Sequence, residues 1–239
     1  MKKLLLVLAL LCVAPVASRA ADAPDWAQSV ALPATETPVR LFNGRDLTGW
    51  EGQIEKYWSV EDGAIKARND KAFAPSTYLF TQKSYREFRL LFEVKQTRGP
   101  EFSTMHSAVA ALGEKFTDGG DAFSFKGPLL MVCQDWGIWD ANRRNRVVPA
   151  GHGGTWQNVN EKIGDWNQIE ILVRGDRIRV AANGKLVFDF TDKPEMLKAS
   201  PLGLQLHANN RPQEWRFRGL ILSENPEDKL LTAPPDAPK

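Results

Sequence analysis

Between residues 39 and 223 no stretch sustains an apolar stripe at helical spacing. Short alternating runs recur instead, broken by Gly, Asp and Asn. A strand points successive side chains to opposite faces, so such alternation marks half-buried strands. Phe88, Leu90, Phe92 and Val94 share one side of a run over 88–95, opposite Arg89, Leu91, Glu93 and Lys95. Trp166–Arg174 alternates in the same way, with Ile169, Ile171 and Val173 opposite Gln168, Glu170 and Leu172. In Arg177–Ala182, Ile178 and Val180 oppose Arg177 and Arg179, and Asn183-Gly184 then turns the chain into Lys185–Phe190. Pro201–His207 sets Leu202, Leu204 and Leu206 against Gly203, Gln205 and His207. Ser107–Leu112, Leu129–Cys133 and Trp215–Leu222 complete the set. Many strands of similar length, with no long helix, predict an all-β jelly-roll sandwich of two antiparallel sheets.

The stretch from Leu41 to Ile65 carries the densest turn chemistry. Asn43-Gly44 and Asp62-Gly63 each sit between apolar residues and predict tight turns, with Trp50 and Trp58 in or beside the core. Residues 140–165 break the strand pattern. They hold Asn142-Arg143-Arg144-Asn145-Arg146 and Gly151-His152-Gly153-Gly154, and read as a long loop over one face.

The amino terminus reads as an export signal. Lys2 and Lys3 precede the apolar run Leu4–Val13, too short to span a bilayer, and Ser18-Arg19-Ala20 suits cleavage after Ala20. Lys2, Lys3 and Arg19 leave with residues 1–20, so 28 basic residues face 29 acidic ones, a formal charge of −1. The lack of a basic excess to neutralise phosphates argues against a nucleic-acid partner. No membrane span is expected after cleavage. Cys133 is left as the mature chain's single cysteine and forms no internal disulfide, so the fold depends on its core. Residues 21–38 read as a tether ahead of a domain over 39–223, and residues 224–239, rich in proline, as a tail.

The polar sides of the strands collect Arg89, Glu93, Gln168, Glu170, Arg179, Gln205, His207 and Arg218. If these strands share a sheet they make one polar surface, which is either a functional face or the solvated side that antiparallel sheets commonly have. An imidazole's unperturbed pKa lies near neutrality, so His207 suits acid/base work or metal ligation. His152 lies among glycines, where a backbone approaches a ligand closely; His106 is the third histidine. Trp136, Trp139 and Trp156 flank the long loop beside Asp135. Aromatic faces next to polar groups suit a carbohydrate: the ring stacks on the sugar and the polar groups read its hydroxyls. The sequence holds no zinc, calcium or phosphate-loop motif.

The segment LFNGRDLTGW (Leu41–Trp50), followed by Trp58-x-Val60-x-Asp62-Gly63, resembles the opening of the 3-keto-disaccharide hydrolase family. Further blocks keep the family's order: Phe88–Glu93, Asp165–Ile171, Asn183–Lys185, Gly203–His207 and Phe217–Leu222. The resemblance implies a concanavalin-like jelly roll, exported to the bacterial periplasm or beyond, that cleaves glycosides already oxidised at C3. The keto group acidifies the C2 proton; a base removes it, the enolate is stabilised and the C1 leaving group departs. By the same resemblance His207 or Asp135 is the base and Arg218 orients or polarises the substrate. Glu93 is a further catalytic position. Gln205, Trp136, Trp139, His152, Trp156 and Glu170 would bind the sugar, and a divalent metal is a possible cofactor. The family's central strand reads E-x-Q-I-x-D. Set against Leu130–Asp135, that pattern keeps Asp135 and puts Leu130 and Val132 in place of its Glu and Gln. The family's N-S-G block stands here as His106-Ser107-Ala108, without the arginine that tends to follow. Two readings therefore stand: an enzyme acting on 3-keto-glycosides, and a non-catalytic glycan-binding module.

The export reading predicts that protein recovered outside the cytoplasm begins at Ala21. Intact mass spectrometry checks it, and an exported form retaining Met1 would refute it.

Overall fold

The computed structural model describes residues 25–99, 107–133, 137–149 and 160–234. In chain order the strands are β1 (Pro38–Arg40), β2 (Trp50–Glu51), β3 (Trp58–Glu61), β4 (Ala64–Asn69), β5 (Thr77–Tyr85), β6 (Phe88–Arg98), β7 (Ala108–Ala110) and β8 (Glu114–Asp118). They continue with β9 (Asp121–Met131), β10 (Ile138–Ala141), β11 (Val147–Val148), β12 (Asn167–Arg174), β13 (Arg177–Ala182), β14 (Lys185–Thr191), β15 (Ser200–Leu206) and β16 (Gln213–Glu224). Two single-turn helices, α1 (Trp26–Ser29) and α2 (Ile54–Tyr57), accompany them. None of the helices among the described residues is long and apolar enough to cross a membrane.

The strands form two antiparallel sheets. The first runs β14-β13-β12-β6-β16-β4-β3, with β1 also on β16; the second runs β11-β10-β9-β7-β15-β5-β2, with β8 on β9. Alternation decides what lies between them. Phe88, Leu90, Phe92, Ile169, Ile171, Val180 and Phe217 of the first sheet meet Leu79, Val109, Leu130, Leu202, Leu204 and Leu206 of the second in one buried core. Trp50, Trp58 and Trp215 join that core, and the Trp50 indole donates to the Leu41 carbonyl at 2.8 Å. The jelly-roll sandwich expected from the alternation is the fold observed.

The turns divide by mechanism. Asn183-Gly184 and Asp62-Gly63 each place both residues at positive φ, which fits the right-handed twist of the hairpins they close. Asn43-Gly44 differs. Only Gly44 has positive φ, and the Asn43 side-chain oxygen accepts from the Arg45 and Asp46 amides. It bends a crossover instead, since β1 pairs with β16 in the first sheet and β2 with β5 in the second. Part of the loop expected over 140–165 is a hairpin, β10 against β11. Its charged turn is structural. Buried Asp140 pairs with Arg143 and Arg144, and Arg144 reaches on to Asp192.

The expected tether and tail also have structural work. Described residues 25–37 and 225–234 cover the outer face of the first sheet. Ala27 packs on Leu91 and Ile221, and Leu230 and Ala233 pack on Leu172 and Ala181. Beneath both segments the Arg89 guanidinium ion-pairs with Glu36 and Glu170, and donates to the carbonyls of Glu227 and Lys229. Glu170 accepts in turn from the amides of Leu231 and Thr232. Burial alone would raise the Glu36 pKa. Hydrogen bonds from Arg89, Ser223 and the Glu227 amide outweigh it and hold the carboxyl below its ordinary value.

Removing one member of a buried ion cluster strands the others. Arg89→Met is therefore expected to lower unfolding free energy by about 3–5 kcal/mol. The Glu36 contribution is complete above its unfolded pKa and is lost as pH falls through the lower folded value. Denaturant titrations from pH 7 to pH 3 should show a smaller acid-side loss in the variant than in the parent. Equal stability of the two at pH 7 would refute this account.

Candidate functional site

Segments 25–37 and 225–234 cover part of the first sheet's outer face, and the polar-lined cavity described below lies on the second. Its register sets the pattern. Tyr78 stands opposite Gln205 and Phe80 opposite Gly203 across β5 and β15. Ala108 and Ala110 of β7 face Met131 and Leu129 of β9, and Leu129 faces Trp139 of β10. Outward side chains of β5, β9, β10 and β15 enclose an opening on this face. The result is a cavity of about 390 Å³ whose lining includes Tyr78, Phe125, Met131, Trp139, Gln205 and His207. That volume is within the usual range for small-molecule sites.

One backbone crossing shapes its wall. Strand β9 pairs with β8 through residues 121–126 and then with β7 and β10 from Gly127 onward. A Cβ on Gly127, which has φ +139°, would lie 2.8 Å from the Gly113 Cα, so two backbones cross there without side chains. Phe125 swings over the sheet as a consequence. Its ring centroid is 6.1 Å from those of both Tyr78 and Phe80.

The polar groups are oriented but not all satisfied. The Gln205 amide nitrogen donates to the Tyr78 hydroxyl at 3.3 Å, while its Oε1 has no partner among the described residues although the side chain is 2% exposed. Ser124 is as buried, and its Oγ likewise lacks a partner there. Burial pushes the Tyr78 phenol well above its ordinary pKa, with the Gln205 bond working weakly against it. Tyr78 is therefore neutral. Since its oxygen accepts from Gln205, its proton is available to a ligand. His207 follows β15 on the same face as Gln205 and is half-buried. Its carbonyl accepts from the Gln213 side chain, and the Ser76 hydroxyl accepts from the Ala208 amide. Asn142 and Asn145 hold the rim at positive φ; Asn142 donates to the Phe125 carbonyl at 2.9 Å.

The expected site residues divide three ways. Gln205, His207 and Trp139 line this cavity. Glu93, Arg218 and Glu170 do not reach it, because β6, β12 and β16 belong to the other sheet and their polar sides face away across the sandwich. Arg218 forms a two-pronged ion pair with Glu93 at 2.9 and 3.1 Å and lies on the Trp166 ring at 4.1 Å. Glu93 also accepts from the Trp26 amide, and Glu170 is engaged by Arg89. The single polar surface expected from strand alternation is thus two surfaces on opposite sides. Asp135, Trp136, His152, Trp156 and His106 lie outside the described residues.

The central strand needs one correction of register. Leu130 and Val132 point into the core, and Leu129 and Met131 are the positions that face the cavity. A one-residue slip exchanges the faces of a strand. Either setting leaves this part of the lining apolar. Sequence reasoning missed Tyr78 and Ser124; Tyr78-Leu79-Phe80 is apolar on both sides and gives the first no contrast.

Metal chemistry has little to rest on here. The described residues contain no group of three or more His, Cys, Asp or Glu able to hold an ion. Among described residues, the lining contributes His207 and Asp118 to any such set. Burial, with Glu161 adding to it, pushes the Cys133 thiol far above its ordinary pKa and leaves it no nucleophile.

Fold and lining define an open, lectin-like jelly roll with a small-molecule cavity on one sheet. Residues 37–222 match the 3-keto-alpha-glucoside-1,2-lyase-like domain, and the chain belongs to that carbohydrate-related family. A putative glycosyl hydrolase from Parabacteroides distasonis is similar in fold, at 21% identity and TM-score 0.51, over 78% of this chain and 93% of that one. The carbohydrate-binding module CBM66 from Bacillus subtilis is similar at 14% identity and TM-score 0.50, over 74% of this chain and 96% of the module. The exoplasmic/lumenal domain of VIP36, in a form bound to calcium and Man3GlcNAc, aligns at 8% identity and TM-score 0.51, over 81% of this chain and 90% of the domain. No curated protein matches the chain at a significant level.

Replacing both members of a hydrogen-bonded pair by apolar groups of similar shape is nearly neutral. Tyr78→Phe combined with Gln205→Leu should therefore hold Tm within about 2–4 °C of the parent, the shift that about 1 kcal/mol produces at this size. A collapse of Tm would show that the pair is there to build the sheet and not to meet a ligand.

Proposed function

We propose that the protein, acting after export, cleaves 3-keto-glycosides in the cavity of the second sheet. The observation that carries this reading is the buried Gln205 oxygen, without a partner among the described residues, beside a neutral Tyr78 hydroxyl and in the same cavity as His207. An orphaned buried acceptor costs about 1–3 kcal/mol, and a sugar hydroxyl would relieve it. Family membership supports the substrate class.

In this reading His207 takes the C2 proton of the 3-keto sugar. The electron pair forms the C1–C2 double bond as the C1–oxygen bond breaks, and the aglycone leaves as an alcohol after gaining a proton. Tyr78 donates to the C3 oxygen, where negative charge develops. Gln205 keeps that phenol oriented and reads a ring hydroxyl with its free oxygen. The polarising role expected of Arg218 passes to Tyr78, because Arg218 is held by Glu93 on the other sheet.

A binding module is the second reading, favoured by Leu129 and Met131, which bring no acid or base to the cavity. Purified protein mixed with a 3-keto-glucoside separates the two. Aglycone release is expected, with kcat/KM lower by about 10²–10⁴-fold in His207→Ala and about 10²–10³-fold in Tyr78→Phe. Rates unchanged in both variants would refute the assignment, and heat of binding without release would favour the module.

A further inference from the structure

The cavity has two chemically different ends. At the β5–β15 end stand the Tyr78 hydroxyl, Gln205, Ser76 and His207. The turn from β8 to β9 folds back to this end: a Cβ added to Gly119 would lie 3.5 Å from the Pro75 ring, which brings Asp118 to the same rim. At the β9–β10 end the lining is Leu129, Met131, Trp139 and Ala141, with Asn142 and Asn145 at the rim and Ser124 further along β9. Leu129 is 5% and Met131 3% exposed. The Asn142 side-chain nitrogen is spent on the Phe125 carbonyl, and the Asn145 side-chain oxygen on the Asn142 amide. From β15 to β9 is two strand spacings, about 10 Å, with Ala108 and Ala110 of β7 between and the Phe125 ring packed with them.

We infer that this site takes glycosides whose aglycone is apolar, an alkyl or aryl group, in preference to disaccharides. The inference rests on the function proposed above and specifies its substrate. A sugar ring at the polar end satisfies Gln205 and meets Tyr78 and His207. Its C1 substituent then extends past the Phe125 ring towards Leu129, Met131 and Trp139. An alkyl chain or aromatic ring loses nothing on entering that surface and removes apolar area from water. A second sugar would bring several hydroxyls against carbon, where the described residues give them few partners, and a buried unpaired hydroxyl is unfavourable. The apolar positions of β9 are thus read as a specificity surface: the same strand that lacks acid/base groups selects the leaving group.

The test uses the full mature chain. Calorimetry with methyl and hexyl glucoside, neither oxidised at C3, measures binding without turnover. Parallel assays measure kcat/KM for methyl and hexyl 3-keto-glucosides and for a 3-keto disaccharide. Each methylene buried should raise affinity about fourfold, so hexyl is expected to exceed methyl by at least about tenfold in affinity and in kcat/KM. Met131→Gln should remove most of that ratio. Gln205→Leu, at the polar end, should weaken both ligands alike and keep the ratio, with thermal melts confirming that each variant is folded. Equal values for methyl and hexyl, or a disaccharide preferred over hexyl, would overturn the inference while leaving the cleavage reading intact. A hexyl preference in binding with no turnover of any substrate would uphold it and refute the enzyme. No binding and no turnover with any of these compounds would overturn both.

Discussion

Arg89 is the constraint on which the arrangement of the molecule depends. It is a fully buried guanidinium between two buried carboxylates, one from the segment before β1 and one from β12. A charge in that position is tolerable only when every donor is matched, and here backbone carbonyls from the C-terminal segment complete the set. The consequence is topological. Both chain ends are drawn over the outer face of the first sheet, and Leu91, Leu172, Ala181 and Ile221 on that face become buried packing positions. A sandwich has two outer faces. The chain's own segments cover part of this one, and the cavity lies on the other.

The second face is made usable by residues that are small and not by residues that are reactive. Gly203 gives its space to the Phe80 ring, which a Cβ there would strike at 2.5 Å, and Ala108 and Ala110 let Phe80 and Phe125 pack down onto the sheet. The crossing of Gly113 and Gly127 lets β9 change partners in mid-strand and carries Phe125 over the trough. Only on that scaffold do Tyr78, Gln205 and His207 converge.

What could be read from the chain follows from which interactions are local. Alternation over 88–95, 177–182 and 201–207 locates strands and their inward sides, since pleating is a property of each strand alone. Asn183-Gly184 gives its hairpin for the same reason. Which strands share a sheet is not local. Glu93 and Gln205 both stand on polar sides, but β6 and β15 pair with different neighbours, so the two residues end on opposite faces. The tether and tail were illegible for a related reason. Their partners lie far along the chain, and Ala27, Glu36 and Leu230 show no period of their own. Gln205 and His207 were legible because their strand is otherwise uniformly apolar. Tyr78 was not, because β5 is apolar on both sides and offers no contrast.

The apolar part of the cavity bears directly on what kind of chemistry the site can perform. In a site where a carboxylate must protonate the leaving group, Leu129 and Met131 would be a defect. Elimination from a 3-keto sugar distributes the work differently. In the function proposed, the keto group supplies the acidity at C2, so the protein's part is one base that returns its proton to the departing oxygen, one donor at C3 and a fixed ring orientation. His207, Tyr78 and Gln205 would fill those parts on one edge of the trough, leaving the opposite edge outside the chemical step. Residues there are then free to follow the aglycone. An apolar surface on β9 and β10 costs such an enzyme nothing in its chemical step, and what it changes is which glycosides arrive in position to react.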